Sequence, residues 1–194
     1  LIKFNYVNDN WKYIDIYKNF PLQLNSINGI QIISDTIFIG TNLGIYKASI
    51  FNNLKDPNTW SLAFPGLVGQ INAMCTTNNG FAFNINEDVY TVDANDISTP
   101  LILDLPYNFN YNEINFDKDN FFWGIKNKEI FTQANDFQSI ESDKILNQLI
   151  FNINGDIVLG TNHGLLFIDQ YDFSIIKKIP NSPATAKFTA IKVL

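Results

Sequence analysis

The sequence predicts an all-β fold, a β-propeller of four-stranded antiparallel blades. Three observations carry that prediction. Short apolar runs separated by turn residues recur along the whole chain, and no long helical period appears. A hairpin at residues 36–49, Thr-Ile-Phe-Ile-Gly-Thr-Asn-Leu-Gly-Ile-Tyr-Lys-Ala-Ser, returns at 156–169 as Asp-Ile-Val-Leu-Gly-Thr-Asn-His-Gly-Leu-Leu-Phe-Ile-Asp. Gly40-Thr41-Asn42-Leu43-Gly44 then lies over Gly160-Thr161-Asn162-His163-Gly164 without a gap. Matching hairpins recur every 40 residues or so, roughly the length of one propeller blade. A β-sandwich is the competing architecture, but it does not explain the recurring hairpin.

Taken in order, residues 1–25 read as the last two strands of a blade, Leu1 to Asn5 and then Trp11 to Ile16, around a polar turn at Asn8-Asp9-Asn10. The first complete blade spans 27–65. Its strands are Ile30–Ile33, Thr36–Thr41, Gly44–Ser49 and Trp60–Phe64, with turn signals dense in 51–59. The second spans 71–105, with Asn79-Gly80 as a strong hairpin signal because both residues tolerate positive φ. The third spans 111–142. Its central turn, Lys126-Asn127-Lys128, reads as one residue longer than the others. The fourth spans 148–179, and 187–194 match the first strand of another blade. Four complete blades with partial blades at both ends leave open sheet edges, which folded proteins avoid. The expectation is a segment of a larger propeller of about six to eight blades.

Composition narrows the function. The chain has 194 residues, 46% apolar and 16% charged, with net charge −6. It is globular, and it lacks the concentrated basic face that nucleic acid requires. All 13 basic residues are Lys, so no guanidinium is available for bidentate phosphate or carboxylate binding. Cys75 is the one cysteine; no internal disulfide can form, and it reads as a small core residue. No apolar run reaches the length of a membrane helix, about 18 residues. The chain begins at Leu1 and shows no signal peptide, so the expectation is a processed chain or a fragment.

Chemistry-bearing groups are sparse. His163 is the one histidine and sits in a hairpin turn, so a hydrolytic triad has no evident base and no orienting partner. One His and one Cys far apart do not make a zinc site. Asp117-Lys118-Asp119-Asn120 lacks the remaining ligands of a calcium loop and reads as a solvated turn. Gly40 and Gly160, echoed by Gly124, read as points of close packing between blades. Trp11 and Trp60 occupy equivalent places and read, with Trp123, as blade-to-blade packing rather than sugar-stacking groups. No cofactor or metal is expected, and no catalytic residue is assigned. The candidate binding residues are those of the central turns, which a repeat places at one end: Asn42, Glu87, Lys126, Lys128, Asn162 and His163.

The repeated Gly-Thr-Asn-x-Gly hairpin resembles the repeats of two-component-regulator (Reg_prop) propellers. The longer stretch from Gly44 to Ser49 and from Asn53 to Trp60 is similar to the PorZ family of the type IX secretion system in Bacteroidota, as is the tail Pro183 to Ile191. That resemblance implies a non-enzymatic propeller at the outer-membrane surface, binding proteins of an attachment complex and lipopolysaccharide or another glycan. The alternative it leaves open is the extracytoplasmic ligand-sensing propeller of a two-component regulator. A propeller enzyme acting on polysaccharide is the third reading.

Overall fold

The computed structural model describes residues 1–21, 24–133, 138–142, 145–152, 155–162, 164–169, 172 and 174–178. Within them the chain is all β, apart from one 3₁₀ turn at Pro57–Thr59. It opens with a two-stranded hairpin, β1 (Ile2–Val7) and β2 (Asn10–Ile16). Four antiparallel four-stranded sheets follow. The first holds β3 (Ile27–Ile33), β4 (Thr36–Thr41), β5 (Gly44–Ser49) and β6 (Ser61–Leu62). The second holds β7 (Ile71–Thr77), β8 (Gly80–Ile85), β9 (Asp88–Asp93) and β10 (Asp96–Ile102). The third holds β11 (Glu113–Phe116), β12 (Phe122–Lys126), β13 (Glu129–Thr132) and β14 (Gln138–Glu141). The fourth holds β15 (Leu146–Phe151), β16 (Ile157–Thr161), β17 (Gly164–Ile168) and β18 (Ile175–Lys178). In every sheet, neighbours in sequence are neighbours in space.

The sheets are stacked as propeller blades. The first strand of each abuts the first strand of the next: β3 meets β7, β7 meets β11, and β11 meets β15. Side chains bridge these inner strands. Asn28 Nδ2 donates to Ile71 O at 2.7 Å, and Asn115 Nδ2 donates to Leu149 O at 3.1 Å. The core therefore lies between blades, not within one. Phe38 and Ile45 of the first sheet pack with Phe81, Phe83 and Ile85 of the second. Ala82 and Val89 pack with Ile114, Phe122 and Phe131 of the third. Trp123, Ile125 and Ile130 pack with Leu149, Leu159 and Ile168 of the fourth. The second strands are buried on both faces, which is why they read as unbroken apolar runs such as Ile37-Phe38-Ile39. Each such Phe or Ile contributes about 1.5–3 kcal/mol by leaving water.

Glycine admits the close approach between blades. A Cβ added at Gly40 would stand 2.8 Å from Ile71 Cγ2 in the next sheet, and one at Gly29 would stand 2.5 Å from Met74 Cβ. Cys75 is buried in the core, where burial pushes its thiol pKa far up and leaves it a small apolar filler. Asp117 is fully used by its own turn. Its Oδ1 accepts from Asp119 N and Phe121 N, and its Oδ2 accepts from the Trp123 indole N–H at 3.0 Å.

Several expectations need correction. Trp11 is 70% exposed, whereas Trp60 is 5% exposed and donates its indole N–H to Leu54 O. Equivalent sequence positions thus have opposite burial, because no inner strands cover the β1–β2 hairpin among the described residues. The third central turn is no longer than the others: Lys126 pairs with Glu129, leaving the two residues Asn127-Lys128. Gly124 is therefore one residue further from its turn than Gly40, and its hydrogen side faces the Tyr111 ring. The Asn79-Gly80 turn is centred one residue earlier, because Thr77 pairs with Gly80. Trp60 ends the 3₁₀ turn rather than starting a strand. Residues 187–194 lie outside the described residues.

Candidate ligand-binding face

The four central hairpins, β4–β5, β8–β9, β12–β13 and β16–β17, each close through two residues. The flanking pairs are Thr41 with Gly44, Ile85 with Asp88, Lys126 with Glu129, and Thr161 with Gly164. The first turn residue is asparagine every time: Asn42, Asn86, Asn127 and Asn162. Two local chemistries achieve this in three of the four turns. In the first and fourth sheets, the Thr hydroxyl donates to the carbonyl of the following Gly: Thr41 to Gly44 at 2.7 Å, and Thr161 to Gly164 at 2.9 Å. Gly44 has φ +117 and Gly164 φ +130, the left-handed half of backbone space that glycine enters without steric cost. This explains the Gly-Thr-Asn-x-Gly repeat. In the second sheet Asn86 and Glu87 take positive φ themselves, +52 and +73, as a tight primed turn requires.

The turns are fastened to the segments that lead into neighbouring strands. Asn42 Oδ1 accepts from Asn25 N at 2.8 Å. Asn110 Oδ1 accepts from Glu87 N at 3.1 Å and from Asn72 Nδ2 at 2.8 Å. Asn112 Oδ1 accepts from Asn127 N at 2.7 Å, and Asn127 O accepts from Leu146 N at 2.8 Å. Asn162 N donates to Ile145 O at 3.2 Å. These links tie each turn to the segment that enters its own or the next blade. Beneath them, fully buried Asn84 accepts from Tyr111 N and donates to the carbonyls of Asp88 and Phe109.

The candidate residues divide accordingly. Glu87 and Lys128 are exposed and place opposite charges on adjacent turns. Lys126 is half-buried, with Nζ 3.8 Å from the centre of the Phe109 ring, a cation–π contact. Asn42 serves the scaffold through Asn25. Asn162 Oδ1 is buried and meets no hydrogen-bond donor among the described residues. His163 lies outside the described residues. Sequence reasoning missed Asn86, Asn127, Asn110 and Asn112. An alignment that placed the third turn at 127–128 would have revealed the invariant first position; Asn110 and Asn112 carry no local signal. The described groups on this face are amides, a carboxylate and ammonium groups, suited to holding a polar ligand.

No protein-family model matches the sequence, and no curated protein matches it. Solved structures do match the fold. The extracellular domain of the hybrid two-component system BT3049 from B. thetaiotaomicron is similar at TM-score 0.65 and 13% identity, over 91% of this chain and 27% of that one. The extracellular domain of the hybrid two-component system BT4673 from the same organism is similar at TM-score 0.62 and 16% identity, over 95% of this chain and 26% of that one. A virginiamycin B lyase from Staphylococcus aureus, with quinupristin, is similar at TM-score 0.63 and 13% identity, over 93% of this chain and 64% of that one. The chain thus spans about a quarter of the length of the extracellular domains and under two thirds of the lyase. At these identities the likeness establishes the propeller fold. Among the described residues, no helix is long and apolar enough to cross a membrane.

Proposed function

We propose that the chain is part of an extracytoplasmic ligand-sensing β-propeller, non-enzymatic, whose central-turn face holds a polar ligand such as a glycan. The observation that carries this reading is the face itself. Four turns with asparagine at the same position are locked in place by hydrogen bonds to the incoming segments, which leaves Glu87 and Lys128 projecting from a rigid base. The likeness to extracellular domains of two hybrid two-component systems supports it at the level of fold. The test is a thermal-shift screen against oligosaccharides, repeated on a Glu87→Ala, Lys128→Ala double variant. A glycan that raises Tm in the wild type and not in the double variant supports the reading. A screen in which no glycan moves Tm counts against it.

The second reading is a surface scaffold in a type IX secretion complex, binding other proteins and lipopolysaccharide. It rests on the sequence from Gly44 to Trp60. The side chains in that stretch also have structural employment: Asp56 caps the 3₁₀ turn by accepting from Asn58 N, and Trp60 fills the core. Those needs alone account for Asp, Pro and Trp at their places, so the sensing reading is preferred. Co-purification of secretion-complex proteins from native outer membranes, with no glycan response, would reverse that preference. The third reading, a polysaccharide-active enzyme, gains an enzyme neighbour in the lyase at the level of fold.

A further inference from the structure

We infer that the ligand is an acidic sugar, one with a carboxylate on a pyranose ring, and that residues 107–110 with Lys126 form the subsite that selects it. The inference rests on the ligand-sensing reading above and names the substrate class of that same face. It is carried by the way Lys126 holds its ammonium and by what the segment from β10 to β11 presents beside it.

A lysine that covers an aromatic residue ordinarily lays its methylenes on the ring and keeps its head in water. Lys126 sets the head itself on the ring. Its Nζ stands 3.8 Å from the centre of Phe109, and the residue is half-buried. A carboxylate is at hand, since Glu129 is its paired neighbour across the β12–β13 ladder. Yet among the described residues no carboxylate lies within ion-pair distance of Lys126 or of Lys128. A ring face attracts a cation more weakly than a carboxylate does, so the ammonium keeps its capacity for an anion.

The platform beside it is rigid. Phe109 stacks with Tyr107 at 6.2 Å, the rings 3° from parallel. Both stand against Phe131, at 5.0 and 5.5 Å, and Tyr111 meets Phe109 edge-on at 5.9 Å. Tyr107 is 41% exposed, and its hydroxyl meets no partner among the described residues. An exposed aromatic face carries negative charge density, which attracts the polarised C–H groups of a sugar ring.

Asn110 adds polar partners. Its Oδ1 accepts from Glu87 N and Asn72 Nδ2, which fixes the amide and leaves Nδ2 without an acceptor among the described residues. Glu87, joined to it by that bond, is exposed. A simple anion would use the ammonium and be repelled by Glu87. A neutral sugar would use the ring, the amide and Glu87, and leave the half-buried ammonium unpaired. An acidic sugar uses all of them: its carboxylate on Lys126, its C–H face on Tyr107, its hydroxyls on Asn110 and Glu87.

The test is calorimetric titration of the 194-residue chain with trimers of galacturonate, glucuronate and mannuronate. Each is run beside its methyl ester, which keeps the ring and removes the charge. The expected result is saturable binding of at least one uronate. Its methyl ester, and Lys126→Gln with the free acid, should bind about tenfold more weakly or worse, the scale of one charge-assisted hydrogen bond. Lys118→Gln, in the turn that leads into β12, should bind like wild type. Tyr107→Ala should weaken acid and ester alike. If Lys126→Gln does not fold, the ester comparison on the wild type and Tyr107→Ala decide. A smaller loss for ester or variant would overturn the inference, as would sulfate bound as tightly as the uronate. Binding of neutral oligosaccharides alone would overturn it and leave the sensing reading standing. Silence towards acidic and neutral sugars alike would remove both.

Discussion

Trp11 and Trp60 stand at matching places in two strand-loop-strand units, yet one lies in water and the other in the core. The difference is not local. Trp11 packs against Tyr6 across its own hairpin at 5.0 Å, and Phe4 packs edge-on against Tyr13 at 6.0 Å. These cross-strand pairs are well made and still leave both faces of the hairpin exposed. Trp60 is buried because Phe20 and the first blade close over it from two sides. Residue type sets what could be buried, and what packs alongside decides what is.

The comparison breaks most visibly by removing the two rings. Trp60→Ala should cost about 3–5 kcal/mol, because a large buried ring leaves a cavity. Trp11→Ala should stay within about 0.5 kcal/mol, as exposed substitutions do. With about 2–4 °C of Tm per kcal/mol at this chain length, thermal melts separate the two readily. Equal effects would mean that the hairpin is covered in solution. A smaller effect is expected at Asn84→Ala, which strands the Tyr111 N–H and the Asp88 and Phe109 carbonyls in the interior; about 1–3 kcal/mol should be lost in urea unfolding. Gly40→Ala should lose about 1–3 kcal/mol by overpacking against the Ile71 Cγ2 methyl, and a double-mutant cycle with Ile71→Ala, which removes that methyl, should show the two losses to be less than additive.

Glu113 sharpens the comparison through pH. Burial beside the second blade raises its carboxyl pKa to about 7, above the ordinary carboxylate value. The folded state therefore holds its proton more tightly than the unfolded chain, and this group's contribution falls as pH rises from the ordinary carboxylate pKa towards about 7. Glu113→Gln should flatten Tm over that window and leave Tm higher than wild type at pH 8. The smallest effect belongs to the exposed hairpin again. Asp15, held below its usual pKa by Lys55 at 2.8 Å, joins β2 to the 51–59 loop at the surface. Asp15→Asn should shift Tm least of these variants, and high salt should erase the shift.

The sequence made the blades legible because the second strands are buried on both faces and announce themselves as unbroken apolar runs flanked by turn residues. The candidate face was half legible. Glu87 and Lys128 emerge from the turn positions alone. Asn110 and Asn112 do not, since their role is a single side-chain oxygen reaching a turn 15 to 23 residues away. The length of the third turn was misread because Lys126 and Lys128 look alike in a polar run, while only pairing shows that Lys126 belongs to the strand. Trp11 was misplaced because burial between blades depends on a neighbour that its own residues do not encode.

Hydrogen exchange along the chain tests the central claim most directly. If each blade is sheltered by the next, the amides of β8, between two filled interfaces, should exchange slowest, and Phe4 and Tyr6 at the open edge of β1 should exchange within seconds. Uniform protection across β1, β2 and β8 would contradict radial stacking that leaves the β1–β2 hairpin exposed.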